Sequence, residues 1–179
     1  MSEHRIAGVG PAGGSRGASG SIVSARDVAA TVVDPELPML TIAELGILRG
    51  VQEDGEHVTV EITPTYSGCP AMAAIRADVS ARLHDAGFPD VCVRTVLYPP
   101  WTTDWITADG RRKLEEHGIA PPGKAGRAVP LLLGRRDTVP CPRCGSPNTV
   151  EMSRFGPTPC TALFRCTACA EPFEHVKAI

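Results

Sequence analysis

Two Cys-x-x-Cys pairs near the C-terminus constrain the fold more than any other feature of these 179 residues. Cys141-Pro142-Arg143-Cys144-Gly145 and Cys166-Thr167-Ala168-Cys169 are separated by a loop of the length found in four-thiolate zinc ribbons. Two thiolates from one tight turn can occupy adjacent corners of a tetrahedron, and Gly145 relieves the backbone there. A segment of about forty residues cannot sustain a conventional core, so a structural metal has to provide the missing folding energy. The sequence therefore predicts a zinc ribbon over residues 140–179, with Cys141, Cys144, Cys166 and Cys169 as ligands. Such a closed site has no position for a substrate and suits docking or stabilisation rather than catalysis.

Cys160, in Thr158-Pro159-Cys160-Thr161, is a fifth thiol in the same module. Three roles are open to it: buried bystander, ligand in an alternative set, or part of an iron–sulfur site, since thiolates serve both metals. Two separated pairs match ribbon geometry, which favours zinc over a cluster. His175 is another ligand type nearby, but a lone histidine is more often structural.

A second stretch with chemical character is Thr63-Pro64-Thr65-Tyr66-Ser67-Gly68-Cys69-Pro70. Before it, Val58, Val60 and Ile62 alternate with polar residues, the pattern of a strand with one buried face. After it, Met72, Ile75, Val79 and Leu83 recur at helical steps. Pro70 suits a first helical position, which puts Cys69 at or near the N-cap. There the helix dipole and unpaired N–H groups favour thiolate over thiol, so Cys69 is a candidate reactive or metal-binding residue. The competing reading is a small buried hydrophobe, as for Cys92. No base accompanies Cys69 in sequence, so a hydrolase is disfavoured.

Net charge is −2, with acids and bases interspersed and few aromatics, so neither a basic stripe nor a stacking platform points to nucleic acid. Eighteen consecutive apolar residues occur nowhere, and the N-terminus lacks a signal-peptide core. A cytoplasmic protein without a membrane segment is expected, where cysteines serve as ligands or thiols rather than disulfides. An isologous homodimer is the default expectation for such a subunit.

Glycine-rich residues 1–20 read as a disordered tail. Gly8-x-Gly10 with Gly13 has no preceding strand, which argues against a dinucleotide loop. Ser24 caps a first helix that ends before Asp34-Pro35-Glu36-Leu37-Pro38, a turn in which Asp34 either bonds downstream N–H groups or faces the Cys69 loop. Ile47 to Val51 and His57 to Thr63 form a hairpin about Asp54-Gly55. The Cys69 helix ends at Gly87, a strand covers Val91–Leu97, and a short helix over Arg111–His117 closes at Gly118. Residues 21–118 thus read as an α+β domain, a small mixed sheet with helices on one side in the order α-β-β-α-β-α. Trp101 and Trp105 are read as packing that fixes their segment. Residues 119–139 read as a linker with one apolar docking stretch, Val129–Leu133.

Asp34-Pro35-Glu36-Leu37-Pro38, Ile42-x-x-Leu45-Gly46-Ile47 and the Thr63–Pro70 stretch resemble the SufT-like domain associated with iron–sulfur protein maturation. Pro99-Pro100-Trp101-Thr102-Thr103-Asp104-Trp105-Ile106, the ribbon, and Ser153-Arg154-Phe155-Gly156-Pro157-Thr158-Pro159-Cys160 narrow the resemblance to the PaaD family, accessory components of the ring-1,2-phenylacetyl-CoA epoxidase system of phenylacetate catabolism. The resemblance covers roughly Ser21 to Ile179. It implies help in delivering iron or an iron–sulfur cluster to a client, such as the epoxidase reductase component. It also implies that Cys69 is the reactive or iron-contacting thiol, with Asp34, Thr63 and Thr65 around it. Glu-x-x-His pairs and a flavin or dinucleotide loop are missing, so the chain is not expected to insert oxygen. Two alternatives are a structural subunit bridging epoxidase components and, less favoured, a thiol-dependent transferase or reductase.

Overall fold

The computed structural model describes residues 23–66, 68–123 and 138–179. The glycine-rich tail, Ser67 and the Val129–Leu133 stretch lie outside the described residues.

Helix α1 (Ala25–Ala30) starts where the Ser24 hydroxyl accepts from the Asp27 N–H, the bond an N-cap serine supplies to an otherwise unpaired donor. Strands β1 (Leu48–Asp54) and β2 (His57–Ile62) pair antiparallel. Gly55 has φ +61° in their two-residue turn, matching the expected hairpin. Helix α2 (Ala71–Asp85) carries the chain over to β3 (Asp90–Thr95), parallel to β2. The sheet is therefore mixed, in the order β1-β2-β3. Val58, Val60 and Ile62 are fully buried together with Ile75, Val79 and Leu83 of α2 and Ala25 and Ala29 of α1.

Helix α2 ends in a Schellman arrangement. Phe88 N–H bonds Leu83 O at 3.0 Å, and Gly87, φ +96°, donates to His84 O at 2.9 Å. Helix α3 (Ala108–Glu116) begins three residues earlier than expected, because the Thr107 hydroxyl accepts from Gly110 N–H.

The tryptophans are packing residues. Trp101 is buried and its Nε1–H donates to Leu45 O at 2.9 Å. Trp105 lies against Gly46, whose φ is +71°, and the Arg49 guanidinium stacks 3.6 Å from its ring centroid. A side chain at Gly46 would place Cβ 2.6 Å from Trp105 Cβ, so both backbone angle and space require glycine.

A second sheet has the order β4-β7-β6-β5, from β4 (Ile119–Ala120), β5 (Thr149–Ser153), β6 (Thr161–Cys166) and β7 (Pro172–Val176). The β4 residues, which the sequence places in a linker, run parallel to Glu174 and His175. They couple the ribbon to the first sheet's unit. Val176 is buried in the first unit's core, and Ile179 O accepts from Thr103 N–H at 3.2 Å and Thr102 Oγ1 at 2.9 Å. Among the described residues no helix is long and apolar enough to cross a membrane.

Candidate functional site

The four ribbon sulfurs lie within 4.8 Å of one another. Cys141 Sγ is 3.8 Å from Cys169 Sγ, and Cys144 Sγ is 3.6 Å from Cys166 Sγ. Four sulfurs about 2.3 Å from one zinc would be separated by about 3.8 Å, so the set fits a tetrahedral metal. Both knuckles close on a left-handed residue, Gly145 at φ +71° and Ala170 at φ +64°. The backbone N–H of Cys169 leads in drawing the Cys166 thiol down to about 6. Cys144, despite the N–H of Ser146, is pushed up to about 12 by the neighbouring sulfurs of Cys169 and Cys166. Four crowded thiols cannot all ionise without a cation, and a metal removes that conflict.

Cys160 is not part of this cluster. It turns to a second place, a partly open cavity of about 30 Å³ between ribbon and α+β unit, lined among others by Asp34, Glu36, Thr65, Cys69, Cys160 and Lys177. Asp34 Oδ1 accepts from the N–H groups of Glu36 and Leu37, both at 2.8 Å. Asp34 thus fixes its turn and also lines the Cys69 cavity. Glu36 is carried on that turn, and its Oε2 accepts from Cys160 Sγ at 3.9 Å. Thr158 Oγ1 lies 3.0 Å from the same sulfur. Thr63 does not line the cavity. It is buried with its Oγ1 unpartnered, while its N–H donates to Ile47 O. The buried Tyr66 hydroxyl lies against the Cys69 thiol without a hydrogen bond of ordinary geometry.

The cavity's electrostatics correct the dipole argument for Cys69. Pro70, in helical conformation, is the N-cap of α2, so Cys69 lies next to the cap, near the helix start as expected. Burial pushes its thiol up; the Ala71 N–H and the Thr65 hydroxyl pull against this, and the carboxylates of Glu36 and Asp34 reinforce the rise. Burial raises Cys160 too, opposed by Thr158 and reinforced by Glu36. Asp34 is raised by burial despite its two N–H bonds, and Glu36 by burial and by Asp34. Burial and the neighbouring carboxylates favour the neutral form of both thiols, and a bound cation would favour the ionised form.

Glu36 was the cavity residue that sequence reasoning passed over. Its signal was the pair of prolines, Pro35 and Pro38, which stiffen the turn that presents it.

Comparison with known proteins follows this division. Residues 126–177 match the model described as PaaD zinc beta ribbon domain, and residues 25–93 match that described as iron–sulfur cluster assembly protein. The chain is 45% identical over 148 residues to an Escherichia coli K12 protein named as a putative subunit of 1,2-phenylacetyl-CoA epoxidase, covering 83% of this chain and 87% of that one. It belongs to the PaaD family. Within that family frame, the first unit is also 38% identical over 78 residues to the Staphylococcus aureus USA300 Fe-S protein maturation auxiliary factor SufT, covering 42% of this chain and 88% of that one. A crystal structure of a domain of unknown function, DUF59, from Bacillus anthracis is 27% identical, with a TM-score of 0.47, covering 50% of this chain and 87% of that one.

Proposed function

We propose that this PaaD-family protein is a cytoplasmic maturation factor that delivers iron or an iron–sulfur cluster to a component of the phenylacetyl-CoA epoxidase, with its reductase component as the client. The observation that carries this reading is the Cys69 cavity, where a half-buried thiol shares its space with the Asp34 and Glu36 carboxylates and the Thr65 hydroxyl. Such a site can contact a cation and give it up, because few donors are committed to it.

Zinc is the metal we assign to Cys141, Cys144, Cys166 and Cys169, as the ribbon match and tetrahedral sulfur set favour. Its contribution there is folding energy for the β5–β7 module. Cys69 is the thiol that contacts cargo, Asp34 holds the turn that brings Glu36 to the cavity, and Thr65 donates toward the sulfur.

The test is client content. The epoxidase reductase component is produced alongside wild-type chain or Cys69→Ala, purified anaerobically, and analysed for iron and acid-labile sulfide. The reading expects a client depleted of both with Cys69→Ala, and normal content in that variant would overturn it.

Exposed Leu97, Tyr98, Met152 and Phe155 favour a second reading, a subunit that bridges epoxidase components. It expects a stable stoichiometric complex, indifferent to Cys69.

A further inference from the structure

The ribbon closes its own metal site with four sulfurs and sends a fifth, Cys160, to the other unit. Thr158-Pro159-Cys160 leads into β6, whose neighbour β7 anchors Val176 in the first unit's core. Lys177, the next residue, donates its N–H to Cys160 O at 2.9 Å. Cys160 is therefore held by the same contacts that dock the ribbon. Its sulfur reaches Glu36, on the turn that Asp34 fixes, and shares the cavity with Cys69.

We infer that this cavity is a composite cation site in which Cys69, Cys160 and Glu36 together take one thiophilic divalent cation, ferrous iron being the cargo. The choice of iron rests on the proposed maturation role, whereas the existence of the site does not.

Two thiolates and a carboxylate offer soft and hard donors together, a set that suits late first-row divalent metals over magnesium or calcium. Binding forms two metal–sulfur bonds and one metal–oxygen bond, displaces water from the hydrated ion, releases one proton from each thiol to solvent, and changes no oxidation state. The nearby Lys177 ammonium has partners of its own, donating to Arg154 O at 3.1 Å and lying 5.1 Å from the Phe155 ring centroid. Among the described side chains, Asp34, Glu36, Tyr66, the two thiols and Lys177 are titratable groups at or against the site. Since the thiols must lose protons, occupancy rises with pH. Unlike the ribbon sulfurs, these donors are not already gathered about one point. Closure on the ion is part of binding, which makes the site weaker and exchangeable, as a carrier requires.

Cobalt(II) is the probe. Full-length protein in a Cys92→Ser background, which removes a β3 thiol that is exposed rather than buried as its strand pattern suggested, with zinc in its ribbon, is titrated anaerobically with cobalt while the zinc content is monitored. The inference expects one cobalt per chain with thiolate-to-cobalt charge-transfer absorption and no loss of zinc. Cys69→Ser, Cys160→Ser and Glu36→Gln should each weaken binding, the thiol variants by at least about tenfold, with zinc retained and the circular dichroism unchanged. Binding that survives Cys160→Ser, or the absence of any cobalt beyond displaced zinc, would overturn it. Client analysis separates the two readings. Cobalt bound as described with a client indifferent to Cys69 sustains the site and removes the maturation role, while the reverse pattern removes the composite site alone.

Discussion

Cys160 Sγ lies 3.9 Å from Glu36 Oε2, across 124 residues of chain. The contact joins the PaaD-type ribbon to the turn that fronts the Cys69 cavity. Each half brings one sulfur to the same cavity.

Ribbon ligands and Cys160 should separate cleanly in metal analysis. Cys144→Ser or Cys166→Ser is expected to reduce zinc from one per chain towards none and to abolish amide-exchange protection in β5–β7. Cys160→Ser should keep the full zinc complement. Zinc lost on substituting Cys160 would redraw the ligand set.

Gly46→Ala tests how the tryptophan segment is fixed. The left-handed backbone and the Trp105 Cβ 2.6 Å away both oppose a methyl group, and together cost about 3 kcal/mol. Denaturant unfolding followed by tryptophan fluorescence reads the loss, and a shift below about 1 kcal/mol would contradict this packing.

At Ala170 the expected sign is reversed. Its φ of +64° is strained for a residue with Cβ, so Ala170→Gly should stabilise the metal-loaded ribbon by roughly 0.5–1 kcal/mol after glycine's entropic cost. The thermal midpoint of zinc release checks it. Client iron content should not change.

Asp34 carries a pH signature. Burial raises its folded pKa above the ordinary 3.8, so the neutral form is favoured in the fold. The stability it contributes is complete below 3.8 and falls as pH rises through the higher folded value. In Asp34→Asn the side-chain amide oxygen can still accept from Glu36 and Leu37 N–H, without the buried charge. That variant is therefore expected to melt higher than wild type at pH 7, the difference closing below about pH 4. Equal melting at pH 7 would mean that Asp34's burial costs nothing.

Local chemistry was legible in the sequence because its partners are near in the chain. Gly87 ended α2, Asp54-Gly55 turned the hairpin, and the two knuckles announced their tetrahedron. The pairing of Ile119–Ala120 with β7 was not legible, since two residues have no periodicity and the strand exists through backbone bonds to Glu174 and His175. Cys69's acidity was misjudged because dipole reasoning sees the helix start and not what packs over it. Burial of the thiol dominates, and Glu36 and Asp34 add to it from a distant turn. Cys160 had the least visible partner, because the cavity is lined from both units, far apart in the chain.

Iron transfer tests the central claim most directly. Wild-type protein loaded anaerobically with radioactive ferrous iron is mixed with the iron-free reductase component, and label in the client is followed with time. Transfer that depends on the loaded chain and is lost with Cys69→Ser is the predicted result. A client that acquires iron equally fast from the Cys69→Ser protein, or from free iron without the chain, would contradict the account.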